Sequence, residues 1–188
     1  MNDNPNKDNS NNIKIEHLQK LSTIDLDDLC DATESTINNS DCFTIGFNRD
    51  ETISSQQLED YWNGILLVPE RKLIVGRLEN TIAASIQIVH NSNKYVPGSF
   101  ACTVENHFVA PWARGYGIAK MLIKFAESLA AMNNLSVIKL SVRANQTSAI
   151  NLYESMGFKK WGVLDKYEYI NNKMYAGHFY YKDIIKEY

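Results

Sequence analysis

Val109-Ala-Pro-Trp-Ala-Arg114-Gly115-Tyr116-Gly117-Ile118-Ala119-Lys120 joins two stretches of different period. Before it, residues 99–109 read as a long strand ending in Phe108-Val109. After it, Ile118, Met121, Leu122, Phe125 and Leu129 recur at three- and four-residue spacing, which predicts an amphipathic helix over 117–132. A glycine turn at that junction leaves backbone N–H groups free at a helix N-terminus. Those donors and the helix dipole suit an anion such as a pyrophosphate. Gly115, Gly117 and Ala119 let a phosphate approach without striking a large side chain. The turn lacks the Gly-Lys-Ser/Thr ending of a P-loop, and Lys120 stands where a Rossmann fingerprint requires Gly or Ala. Taken alone, it is equally consistent with a ligand-free strand-to-helix connection.

Upstream, Lys72–Leu78 and Thr81–His90 are rich in β-branched residues and flank Glu79-Asn80, the pattern of a hairpin. Ile13–Leu18 is a candidate first strand. Ser22 or Thr23 caps a helix whose inner face carries Leu26, Leu29, Cys30, Thr33 and Ile37. Ser54 or Ser55 caps a second helix, with Leu58, Tyr61, Trp62 and Ile65. Downstream come a buried strand over Ser136–Val142 and a helix over Thr147–Met156 closed by Gly157. Two strands follow near Lys166–Ile170 and Met174–Tyr181, joined at Asn171-Asn172. This order predicts one α/β domain over residues 13–188, a mixed central sheet flanked by helices. Residues 1–12 are almost wholly polar and are expected to form a disordered tail.

Composition agrees with a globular enzyme or binding domain. The 188 residues are 44% hydrophobic and 22% charged, enough for one packed core. A net charge of -3 offers no electrostatic footprint for nucleic acid. Cys30, Cys42 and Cys102 are odd in number and far apart, so neither a disulfide framework nor a metal site is expected. Without a long apolar run or a secretory leader pattern, the expected location is the cytoplasm.

The glycine turn gains weight from a second block. Arg114-Gly115-Tyr116-Gly117-Ile118-Ala119 resembles the Gln/Arg-x-x-Gly-x-Gly/Ala loop of the GNAT (GCN5-related N-acetyltransferase) superfamily. Downstream, Ala149-Ile150-Asn151-Leu152-Tyr153-Glu154-Ser155-Met156-Gly157-Phe158 is similar to that family's Asn-x-x-Ala-x-x-Leu-Tyr-Glu-x-x-Gly-Phe block. The resemblance is close over residues 72–160 and rests on element order before them. It implies the GNAT fold, acetyl-CoA as co-substrate without a metal, and a small-molecule or protein amine as acceptor attacking directly in a ternary complex. A homodimer is common in the family. By the same resemblance, main-chain groups of His107, Phe108 and Val109 meet the pantetheine arm, and amides from Arg114, Gly115, Tyr116, Gly117, Ile118, Ala119 and Lys120 hold the pyrophosphate. Tyr153 lies near the sulfur and protonates it. The usual asparagine position holds Gln146, with Asn145 beside it; either amide can bond the pantetheine. Ser141 stands where relatives that acetylate protein N-termini carry a glutamate, so their activity is not assigned.

The amine must lose a proton, which calls for a carboxylate or histidine. Strand alternation puts Thr103, Glu105, His107 and Val109 on one face, so Glu105 is the first candidate base and His107 the second. Trp62 and Trp112 are candidates for the acceptor side. The competing reading is a non-catalytic domain that binds acetyl-CoA as a sensor.

Overall fold

A computed structural model describes residues 12–39, 53–91, 93, 95–170 and 172–184. The polar tail up to residue 11, Cys42, Ser40 and Asn171 lie outside the described residues.

The chain begins with β1 (Ile13–Leu18), α1 (Thr23–Asn38) and α2 (Ser55–Ile65), followed by β2 (Arg71–Leu78), β3 (Thr81–His90) and β4 (Ala101–Val109). A 3-10 turn (Pro111–Ala113) leads into α3 (Ile118–Met132), then β5 (Val137–Arg143), α4 (Thr147–Ser155), β6 (Lys159–Ile170) and β7 (Lys173–Asp183). The seven strands form one sheet in the order β1-β2-β3-β4-β5-β7-β6. All neighbours are antiparallel except β4 and β5. Those two are parallel because α3 carries the chain back across the sheet between them.

Both helices that open the chain start on capping boxes. Ser22 exchanges hydrogen bonds with Asp25, and Ser54 does so with Gln57, satisfying donors that a helix start otherwise leaves bare. At the β2–β3 hairpin, Glu79 and Asn80 both have positive φ, as a two-residue turn matching strand twist requires. Helices cover both faces of the sheet. Leu29, Ala32 and Ile37 of α1 and Trp62 and Ile65 of α2 pack against Leu73, Val75 and Ile82. On the other face Ile118, Leu122, Ile123, Ala126 and Ala130 of α3 pack against Ile74, Ile86, Ile88, Ile138 and Leu140. With both faces covered, β3 is buried continuously from Ile82 to Ile88 rather than alternating.

Two expectations are corrected. β6 starts at Lys159, seven residues before the expected Lys166. It is an edge strand with register breaks at Lys160/Gly162 and Leu164/Glu168, and its residues are mostly exposed, so no clean alternation marks it. Trp62 is not on an open acceptor surface. It is fully buried between α1 and the sheet, its Nε1–H donating to Thr33 Oγ1 at 3.2 Å.

Gly76 of β2 sets how closely the first turn of α3 approaches the sheet. A Cβ there would lie 2.7 Å from Ile118 Cγ2 and 3.2 Å from Ile15 Cδ1. Gly76→Ala is expected to destabilise the protein by about 1–3 kcal/mol through overpacking, read as a lower urea midpoint at unchanged m-value. An unchanged midpoint would show that α3 can shift without penalty.

Candidate active site

The site begins where the sheet comes apart. β4 and β5 pair from Ala101↔Val137 to Val104↔Leu140 and no further. β4 nevertheless stays on β3 as far as Val109↔Ala84, and β5 stays on β7 as far as Arg143↔Gly177. Beyond Val104 and Leu140 the two neighbours therefore diverge, leaving a wedge whose facing edges make no ladder bonds to one another.

A bulge in β4 lies at the mouth of that wedge. Glu105 opposes Gln87 and Phe108 opposes Ser85, so Asn106 and His107 together face Ile86. Asn106 takes up the extra residue at φ 48, the left-handed region that asparagine tolerates better than most residues. The strand turns over at this point. Alternation placed Glu105 and His107 on one face; the bulge sends them to opposite faces.

Glu105 faces the α1/α2 side. Arg71 Nη1 donates to Glu105 Oε2 at 2.8 Å and to Gln87 Oε1 at 2.7 Å. The Tyr61 hydroxyl of α2 accepts from Gln87 Nε2 at 3.1 Å and from Asn106 Nδ2 at 2.6 Å. Sequence reading missed Arg71, Gln87, Tyr61 and Asn106 as a group, because strand pairing and the packing of α2 bring them together. His107 faces the α3/α4 side instead, with Nδ1 3.0 Å from Tyr153 Oη.

The glycine turn opens onto a cavity of about 610 Å³. Gly115 and Gly117 have φ of 87° and 78°, and a Cβ at either would meet nothing within 4 Å. Gly117 is the N-cap of α3 and has no side-chain cap. The Met121 N–H is the first of the helix to find a carbonyl, that of Gly117. The amides of Ile118, Ala119 and Lys120 thus have no helical acceptor and sit at the positive end of the dipole. An uncapped turn beside open space fits a pyrophosphate.

Of the positions singled out from the sequence, His107, Phe108, Val109, Arg114, Gly115, Gly117, Ile118, Ala119, Lys120, Gln146 and Tyr153 line this cavity. Tyr116, Asn145 and Glu105 are not among its lining residues, nor is Trp112, which is about half exposed. The cap position of α4 falls on Gln146, whose side chain makes no capping bond. Arg114 Nε donates to Val109 O at 3.3 Å. Thr36 and Asn39, from the end of α1, also reach the cavity and carried no sequence signal.

Burial acts on His107 and Tyr153 in opposite directions. It disfavours the imidazolium, pushing the His107 pKa down to about 4, with the Ala119 backbone opposing that shift. It disfavours the tyrosinate and pushes the Tyr153 pKa up. At neutral pH both groups are uncharged, and Tyr153 holds a proton it can donate. Among the described residues no cluster of His, Cys, Asp and Glu could hold a metal ion, and no helix is long and apolar enough to cross a membrane. Cys102 is buried with its thiol pKa pushed up to about 12.

In the unfolded chain His107 takes a proton near pH 6.5, whereas in the fold it resists until about 4. Its contribution to stability is therefore complete above pH 6.5 and is lost as pH falls toward 4. Between pH 7.5 and 5 the parent should lose on the order of 2 kcal/mol more than His107→Asn in urea unfolding. Parallel pH dependence in the two proteins would contradict this.

Residues 38–158 match the model of the acetyltransferase (GNAT) family. An uncharacterized N-acetyltransferase from the hisH–hisA intergenic region of Azospirillum brasilense is 37% identical over 134 residues, covering 71% of this chain and 77% of the relative. A Salmonella typhimurium acetyltransferase structure with its cofactor acetyl-CoA superposes with a TM-score of 0.69 at 14% identity, covering 93% of this chain and 95% of that one. A spermidine N-acetyltransferase chimera built from a Vibrio cholerae enzyme superposes with a TM-score of 0.71 at 20% identity, over 92% and 95% of the two chains. With the glycine turn, the tyrosine of α4 and the parted strands all in position, this chain belongs to the GNAT acetyltransferase family.

Proposed function

We propose that this protein transfers an acetyl group from acetyl-CoA to a primary amine, on a small molecule or a protein, by direct attack in a ternary complex. One observation carries the reading. An anion-binding helix start and a protonated tyrosine share a cavity on one side of the parted strands, while a carboxylate stands on the other. Acetyl-CoA supplies an activated acetyl thioester. The amides of Gly115 to Lys120 hold its pyrophosphate, and the open edge of β4 from His107 to Val109 runs beside the pantetheine. N–H donors on that edge stabilise negative charge on the thioester oxygen as the amine attacks. Gln146, which lines the cavity, supplies an amide to the pantetheine.

The acceptor approaches from the α1/α2 face. An alkylammonium has a pKa of about 10.4 and must lose a proton before it attacks. Glu105, with a side chain 39% exposed and so in reach of water, takes that proton directly or through a water molecule. Tyr153 protonates the departing sulfur. A related solved structure is of a spermidine N-acetyltransferase, so polyamines belong among the acceptors to be tried, with amino acids, aminoglycosides and lysine peptides.

Acetyl-CoA-dependent thiol release across that panel tests the reading; tight CoA binding with no release from any class would favour a sensor. Tyr153→Phe should lower turnover by roughly 10²-fold or more and leave the Kd for acetyl-CoA within about 2-fold. Equal turnover in variant and parent would remove the tyrosine from the chemistry. Gly117→Val should do the reverse. It puts a branched side chain at φ 78 on the edge of the cavity and should weaken acetyl-CoA binding at least about tenfold by calorimetry.

A further inference from the structure

A single hydrogen bond joins His107 Nδ1 to Tyr153 Oη, and its direction decides what the tyrosine can do. A neutral imidazole carries one ring proton. If that proton is on Nε2, Tyr153 must donate to Nδ1, and its hydroxyl proton points at the histidine. If it is on Nδ1, the histidine donates and the hydroxyl proton is free to point elsewhere. The other ring nitrogen separates the two cases. Nε2 is shut off from solvent, and no partner meets hydrogen-bond geometry with it; the Ala119 backbone, which favours the protonated ring, falls short of that geometry. An Nε2 proton would therefore be a buried donor without an acceptor, whereas a bare Nε2 is only an unused lone pair. Proteins tolerate the second more readily than the first.

We propose that His107 is a positioning residue that carries its proton on Nδ1, donates it to Tyr153 Oη, and so leaves the tyrosine proton free for the departing sulfur. The proposal rests on the acetyl-transfer reading and alters one assignment within it, since a donating His107 is not the base. In the step, the amine nitrogen–carbon bond forms and the carbon–sulfur bond breaks. Tyr153 passes its proton to the sulfur. The tyrosinate is held by the His107 Nδ1–H until it regains a proton from water, and the amine proton leaves by way of Glu105. His107 keeps its own proton throughout. The two rings, with centroids 5.9 Å apart, come from β4 and α4, so the contact exists only when helix and bulged strand are both in place.

Two measurements test this. In the ¹⁵N-labelled full chain with coenzyme A bound at pH 7, long-range ¹H–¹⁵N spectra should show His107 as the neutral Nδ1–H tautomer. With the amine that the panel identifies, His107→Leu should lower kcat at least roughly tenfold in the parent and less than about twofold in Tyr153→Phe, because it acts only through that hydroxyl. His107→Asn, which can return an N–H donor near the Nδ1 position, should restore most of kcat. An Nε2–H tautomer, or an equal loss from His107→Leu in both backgrounds, overturns the proposal. If no amine releases thiol, the transfer reading fails on that assay while the spectrum still decides the tautomer. The spectrum also decides it if His107→Leu does not fold.

Discussion

At Asn106, β4 carries one residue more than β3 can match, and the arrangement of the site follows from that surplus. The extra residue turns the strand over, so that Glu105 joins the α1/α2 face while His107 turns to α4. It sits where β4 leaves β5, so one irregularity lies at the opening and assigns a carboxylate and a tyrosine partner to its two sides. A regular strand would have kept both side chains on one face. Left-handed backbone at a non-glycine residue is unfavourable, but Asn106 is a tolerant residue there, and its side-chain hydrogen bond to Tyr61 helps hold the turn-over in place.

The uncapped start of α3 depends on a balance of unequal terms. Glycine in place of a capping side chain at the start of α3 forgoes only about a few tenths of a kcal/mol of helix stability. The same helix buries Ile118, Leu122 and Ile123 almost completely, each worth about 1.5–3 kcal/mol relative to exposure. Packing outweighs the missing cap several-fold, so the first turn can stay bare and receptive without unravelling. Gly76 contributes by letting Ile118 settle close to β2.

On the α1/α2 side the terms are smaller. The Arg71–Glu105 pair is partly exposed, and a pair of that kind contributes about 1 kcal/mol or less. In the proposed reaction an incoming ammonium therefore competes for Glu105 at little cost. On the cavity side Tyr153 is buried and His107 partly so, and burial keeps the two neutral together. The proposed division between a wet, exchangeable base and a dry, fixed acid follows from this difference in solvent access.

Much of this protein was legible in the chain because the relevant patterns are local. The period of Ile118, Leu122 and Phe125 marks α3; Ser22 and Ser54 mark helix starts; Glu79-Asn80 marks a hairpin. Each depends on residues within a few positions of one another. The glycine turn and Tyr153 were found through their own blocks, and both line the cavity. β6 was seen only in its last part, since an exposed, bulged edge has no burial period to read. Which face Glu105 occupies was not legible at all. Alternation along β4 counts residues in one strand, whereas the bulge is a mismatch of length between β3 and β4 that no single strand records. Arg71 of β2 bonds Glu105 and links it through Gln87 of β3 to Tyr61 of α2, and Tyr153 meets His107 across 46 residues of chain. The sequence by itself determined most of the elements and the glycine turn, because short-range sterics and periodicity specify both; only the tertiary structure decided which side chains face each other across the opening, because that depends on strand register.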